Sequence, residues 1–361
     1  MQFRIVIKSE IGKKKRVLIF LGSIIAALIV SGLFLAFLNL NPFQVYIAML
    51  QGSVGSVYRI EQTIIYAIPL IITSLGVAIA FKMKFWNIGA EGQILMGAFM
   101  ASYFALNYSF LPRFILLLIM FFAGFIGGAV WGIIPAFFRA KWGTNETIIT
   151  LMMNYVALKW VVYLQYGPWK DPNAFGFPKL ANFAKNAVLP ELFGVHIGWI
   201  IAVLLTIFVY FFLNRSKKGF EIAVLGESAI TARDAGINIF RTIIFAMVLS
   251  GGICGIVGFI EASGVEQTLT KDITGGVGYT AIIIAWLGAL KPQWMVLASF
   301  LFAILIQGSS YIQSAFGISA YSAQLLEAIV LFFVLGSDFF TRYKLIIDWP
   351  SLLRRTKENG K

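Results

Sequence analysis

Residues 17–38 read VLIFLGSIIAALIVSGLFLAFL, directly after Lys13-Lys14-Lys15-Arg16. As a helix rising 1.5 Å per residue, this charge-free run of about 22 residues reaches about 33 Å, enough to cross the roughly 30 Å hydrocarbon core of a bilayer. The run is too long for a signal-peptide core and no clear small-residue cleavage site follows it, so it reads as a retained first span. Working outward, runs of the same kind lie near 62–81, 88–107, 112–138, 146–166, 197–213, 242–262, 277–290, 293–313 and 322–340. Hydrophobic residues make up 59% of the 361-residue chain and mean hydropathy is +0.85. Soluble domains hold roughly 45–50% apolar residues, so a soluble fold is excluded. The predicted fold class is an all-α integral membrane protein with about ten transmembrane helices. Its parts are a basic tail at 1–16, one transmembrane domain at 17–340 and a second basic tail at 341–361.

The net charge of +13 could point to nucleic acid, but the placement of the 29 Lys and Arg residues settles its meaning. With the N terminus in the cytoplasm, 22 of them fall in inner tails and loops, six fall outside, and Lys159 lies inside the fifth run. The inner set includes Lys82, Lys84, Arg139, Lys141 and the C-terminal Arg354, Arg355, Lys357 and Lys361. This is a positive-inside pattern with both termini cytoplasmic, and no nucleic-acid partner is expected. One cysteine, Cys254, sits within an apolar run, which rules out a disulfide framework or a cysteine-rich metal site within one chain.

The run at 277–290 spans only about 21 Å as a helix and cannot cross unaided. A hairpin returning outward would leave the basic C-terminal tail outside, against the charge rule. The run is therefore expected to cross as a broken segment, with residues 272–278, which contain Gly275, Gly276 and Gly278, completing the passage in non-helical form. Ten spans divide into five and five, and because five is odd the halves would form an inverted repeat. The third run, counterpart of the eighth, also opens on a glycine-interrupted stretch, Asn87-Ile88-Gly89-Ala90-Glu91-Gly92-Gln93. Matched breaks of this kind point to a transport site, and the two are expected to face each other. Gly124, Gly128 and Gly132 in the fourth run, and Gly251, Gly255 and Gly258 in the seventh, read as stripes for close helix packing. Trp86 falls near a predicted interface, whereas Trp131, Trp160 and Trp286 lie deeper.

Glu91, Glu146, Lys159, Glu261 and Glu327 lie in or at the edges of spans, where a charge costs roughly 2.5–3.5 kcal/mol on insertion scales and so needs a reason. Glu91 and Glu146 occupy the first turn of helices that begin at the cytoplasmic side, where the dipole favours a carboxylate. Besides capping, they can wall a polar path. Asn87, Gln93, Asn145 and Asn154 add amides able to bind a neutral polar solute, and Trp86 and Tyr155 could stack on one. In the long cytoplasmic loop 214–241, Ser228 can cap a short helix that Gly236 ends, lying along the membrane as a handle for a motor protein. The outer loop 167–196 carries Pro168, Pro172, Pro178 and Pro190 and the chain's one histidine, His196, which has no metal-binding company. The chain has no GxxxxGK[ST] phosphate loop, no H-E-x-x-H and no G-x-S-x-G, so no catalytic or metal residue is assigned and ATP hydrolysis would belong to a partner.

Four stretches carry a family resemblance. They are Phe85-Trp86-Asn87-Ile88-Gly89-Ala90-Glu91-Gly92-Gln93, Thr144-Asn145-Glu146-Thr147-Ile148-Ile149-Thr150-Leu151-Met152-Met153-Asn154-Tyr155, Ala229-Ile230-Thr231-Ala232-Arg233-Asp234-Ala235-Gly236-Ile237-Asn238, and the segment from Leu249-Ser250-Gly251-Gly252 to Glu261. In content, order and spacing these resemble permease subunits of bacterial nucleoside and simple-sugar ATP-binding-cassette importers, of the branched-chain amino acid and ribose permease superfamily. The similarity covers roughly 60–340, and the first two stretches favour the nucleoside branch. The resemblance implies an inner-membrane half-channel that moves its solute by alternating access and binds no cofactor itself. It would pair with a second permease, related or identical, with two ATPase subunits, and with an extracytoplasmic lipoprotein that delivers the solute. It further implies that Glu227, Ser228, Ala232, Arg233, Asp234, Ala235 and Gly236 seat on the ATPase, and that the outer loop docks the lipoprotein. Two departures stand out. Ile284-Ala285-Trp286-Leu287-Gly288 replaces the family's usual Ala-Val-Ala-Leu-Leu-Gly, and Glu227-Ser228 opens the loop helix where a more apolar turn is common. The competing reading is an ion-coupled carrier or channel for small polar solutes.

Overall fold

The computed structural model describes residues 2–7, 13–172, 174 and 178–348. The tail residues Arg354, Arg355, Lys357 and Lys361, and 173 and 175–177 of the outer loop, lie outside the described residues. Each of the ten apolar runs is a helix. In chain order the helices are α1 (Lys13–Phe37), α2 (Pro42–Val54), α3 (Val57–Lys82), α4 (Ala90–Asn107), α5 (Arg113–Trp142), α6 (Glu146–Tyr166), α7 (Gly198–Arg215), α8 (Lys217–Glu227), α9 (Ala229–Asp234), α10 (Ile239–Ile260), α11 (Val277–Leu287), α12 (Pro292–Phe316) and α13 (Ala320–Arg342). Eight of these are long and apolar enough to cross a membrane. α4 and α11 are the other two: Glu91, Gln93 and Asn107 dilute the first, and the second has only 11 residues.

Two helices were not anticipated. α2 has 13 residues, too few to span, and starts behind Asn41, whose Oδ1 accepts from Phe43 N at 3.0 Å. α8 fills the first half of the loop 214–241, where only one short helix was expected. Its cap is Ser216, whose hydroxyl accepts from Gly219 N at 2.9 Å.

The chain forms two compact units. The first comprises 1–52 and 308–361. There α1 packs against α13, and Leu35, Val45, Ile312, Ala323 and Leu326 make a buried apolar cluster. The strand β1 (Gln2–Ile7) pairs antiparallel with the C-terminal strand β4 (Tyr343–Asp348) in this unit, so the two ends of the described chain lie together.

The second unit, 53–307, centres on α10, which packs against α5, α4 and α3. The glycine stripes explain how. A Cβ on Gly128 would fall on the carbonyl of Gly251 and 2.7 Å from the Cα of Gly255, while one on Gly258 would fall on the carbonyl of Ile94. The backbones of α4, α5 and α10 thus touch where side chains would hold them apart, the arrangement small residues permit when lipid offers no hydrophobic drive between helices. Outside the membrane helices, β2 (Glu191–Leu192) and β3 (Val195–His196) form a small hairpin ahead of α7.

Candidate functional site

The two breaks meet. Between α3 and α4 the backbone leaves helix geometry at residues 85–88, and Lys84 takes a positive φ of 57°. Before α11 the chain turns through residues 271–276, where Gly275 (φ 51°) and Gly276 (φ 82°) hold the left-handed conformation that side chains disfavour. Gly278 N, in the first turn of α11, donates to Glu91 Oε1 at 2.8 Å. Glu91 therefore sits at two helix N termini, its own on α4 and that of α11, where the orphan N–H groups and the dipole favour a carboxylate. It is buried, and so is Gly278, whose missing Cβ is the space that Glu91 occupies.

Non-helical backbone at membrane depth must have its polar groups satisfied by protein. Most of the polar residues singled out in the sequence do this work. Asn87 and Gln93 exchange amide hydrogen bonds, each at 3.2 Å, and Asn87 Nδ2 also reaches Ser250 Oγ on α10 at 3.3 Å. Asn87 Oδ1 accepts from Gly89 N at 3.0 Å. Asn154 on α6 closes the break from the other side: its Oδ1 accepts from Gly92 N and its Nδ2 donates to Ile88 O, both at 2.9 Å. Glu146 pairs with Arg139 at 3.3 Å and lies 3.4 Å from Trp86 N, tying the break to the turn between α5 and α6.

Asn87, Glu91, Gln93, Glu146 and Asn154 thus form one buried group around the first break. Asn145 and Tyr155 lie outside it. Asn145 is exposed and caps α6, accepting from Thr147 N at 3.0 Å, and Tyr155 is 54% exposed on the far side of that helix. Trp86 is half-exposed and stacks on Trp286 with ring centroids 5.4 Å apart, against Phe81. The separation of these two indoles by depth in the sequence reading is therefore corrected: the end of α11 brings Trp286 to the break loop. Sequence reasoning missed Ser250 and Tyr279. The Tyr279 hydroxyl accepts from Asn154 Nδ2 at 3.3 Å while its side remains 43% exposed. The signal available for it was its position one residue beyond the last glycine of the second break.

On the loop 214–241, Ser228 Oγ caps α9 by accepting from Thr231 N at 3.2 Å. Gly236, at φ 74°, ends the helix, and its N–H meets Arg233 O at 2.9 Å. Ala232 is buried; Glu227, Ile230, Arg233, Asp234, Ala235 and Gly236 are exposed. Glu227 also lines a crevice of about 310 Å³ with Phe81, Lys82, Lys84, Val224 and Leu290. His196 is buried beneath Gly198 and Gly264, and burial lowers its pKa to about 4. Among the described residues no cluster of His, Cys, Asp and Glu could hold a metal.

A set of long apolar helices in which two broken segments meet, with a capped helix on one loop, fits a multi-pass membrane transport subunit. The chain belongs to the branched-chain amino acid transport system / permease component family, which matches residues 59–335. Among relatives, it is 34% identical to the glucose ABC transporter permease protein TsgB13 of Haloferax volcanii, over 90% of this chain and 88% of that one. It is 30% identical to the guanosine ABC transporter permease protein NupP of Bacillus subtilis, over 81% and 85%. With the nucleoside ABC transporter permease protein NupB of Lactococcus lactis it shares 28% identity over 89% and 91%. The protein is a multi-pass permease of the plasma membrane, of the ABC importer superfamily.

Proposed function

We propose that this chain is the solute-conducting subunit of an ATP-driven importer for nucleosides or simple sugars, working by alternating access. The observation that carries the reading is the bond between Glu91 and Gly278, which joins the two broken helices at one point. Discontinuous helices put N-terminal N–H groups at membrane depth, where a polar solute can exchange its water for protein donors. In this reading α4 and α11 complete ten crossings in an inverted five-plus-five arrangement. The pairing of β1 with β4 supports an even number, since it leaves both ends on one face.

The buried amides hold the break in shape, and the half-exposed Trp86 and Tyr279, with the partly buried Trp286, are the groups beside them that a solute would touch. α9 transmits the stroke. A six-residue helix capped at both ends, with Arg233 and Asp234 exposed, is a rigid knob for an ATPase subunit to grip. A second permease, a pair of ATPases and an extracytoplasmic binding protein complete the transporter, and the relatives' names as ABC transporter permeases support that company. The ABC transporter permease names attached to guanosine and to glucose leave both solute classes in play.

The test is uptake of labelled guanosine and of labelled glucose into proteoliposomes holding the assembled transporter, with and without ATP. ATP-dependent uptake of either is expected. Uptake driven by a proton gradient alone would overturn the reading in favour of an ion-coupled carrier.

A further inference from the structure

Lys159 takes no part in the network around the breaks. At 1.5 Å per residue it stands about 20 Å from the first residue of α6 and about 10 Å from the last, within the apolar span. It is exposed at the surface of the chain and has no ion pair or hydrogen bond among the described residues. α6 buries its opposite side, with Asn154, Ala157, Val161 and Leu164 turned inward. Tyr155, Lys159 and Tyr163 recur every four residues along the exposed side.

A lysine on a lipid-facing helix ordinarily escapes by reaching for the nearer membrane surface. Here the geometry opposes that. Cα–Cβ bonds tilt toward the helix N terminus, so the Lys159 side chain leaves α6 heading toward Glu146 and away from the nearer end. An ammonium at that depth belongs against water or protein, since intramembrane charges face cavities or bundle interiors. Beside it, Tyr163 packs on Trp160 at 5.8 Å, and Trp160 meets Phe99 edge-on at 5.8 Å, forming an aromatic shelf. Such ring faces suit a nucleobase or the apolar face of a sugar.

We propose that the Tyr155, Lys159 and Tyr163 face of α6 is the wall of the solute route, with Lys159 as its selectivity residue for neutral or anionic ring solutes. This rests on the permease reading above. The ammonium donates to hydroxyl and carbonyl oxygens and repels cationic solutes, and the shelf takes the flat face of the ring.

The test uses Lys159→Cys and Tyr163→Cys in the assembled transporter, with charged methanethiosulfonates as probes. Cys254 is fully buried, so the background from this chain is low, and the unsubstituted assembly serves as the control for its partners. Both introduced thiols are expected to react with the aqueous reagents, and saturating guanosine or glucose, whichever is carried, slows the reaction. Lys159→Cys is expected to lower uptake about tenfold or more, the scale of one lost charge-assisted hydrogen bond. Attaching the ethylammonium reagent, which rebuilds a cation of nearly lysine's length, restores uptake; the ethylsulfonate reagent does not. No reaction at either thiol, as lipid or a packed partner would cause, overturns the proposal, as does unchanged uptake by Lys159→Leu. Should the unsubstituted assembly fail to import either solute with ATP, the importer reading falls instead, and the labelling pattern still decides whether this face meets water.

Discussion

Replacing Glu91 with alanine removes the acceptor that Gly278 N meets at 2.8 Å. The consequence can be bounded from two directions. A buried N–H left without a partner costs about 1–3 kcal/mol. Hydrogen bonds between membrane helices average only about 0.6 kcal/mol and reach about 1.7, because the separated helices find other partners. Glu91 lies at the upper end, being a carboxylate at two helix N termini, so about 1–2 kcal/mol is expected, a factor of roughly 5–30 in the population of the joined breaks. Glu91→Gln keeps a carbonyl oxygen in the same place and is expected to stay within a few-fold of the parent. The assay is ATP-dependent uptake alongside thermal unfolding of the purified assembly in detergent. Two results would refute the reasoning: a Glu91→Ala protein with unchanged unfolding and uptake, or a Glu91→Gln protein that unfolds normally yet transports as poorly as the alanine form. The second would show that the charge acts on the solute and that the tie is incidental.

Gly128→Val should prevent assembly, since the new carbon would collide with the backbone of α10 and backbone cannot step aside; size-exclusion of the expressed protein checks this. Arg233→Glu is expected to leave ATP hydrolysis running while uptake falls, because it inverts the charge on the exposed face of α9, and unchanged uptake would count against the coupling role. His196 gives a pH effect. Its folded pKa near 4 lies below the ordinary 6.5, so the unfolded chain takes the proton first. The stability that the neutral ring contributes is complete above about pH 6.5 and falls as pH drops toward 4, by at most roughly 3 kcal/mol. Unfolding temperatures across that range should show the slope in the parent and a flatter one in His196→Gln.

The breaks were legible because glycine and amides are conspicuous against an apolar background. Their partners were less so. In sequence Asn154 is an amide free to meet a solute; that it also bridges Gly92 N and Ile88 O only the packing of α6 on α4 reveals. Asn145 and Tyr155 stand within a residue of Glu146 and Asn154 but face elsewhere, since neighbours on a helix point about 100° apart. α2 was invisible because 13 residues carry no spanning signal.

The sequence by itself determined that this chain lives in a bilayer, where the helices of its ten apolar runs lie, and where two of them break. Those are consequences of local composition: a run of apolar residues has the same transfer energy whatever its neighbours are. Tertiary structure alone decided which polar groups face each other. It placed Glu91 under Gly278, Trp286 against Trp86 and Lys159 on an open face, because helix packing sets contacts between residues as much as 200 positions apart in the chain.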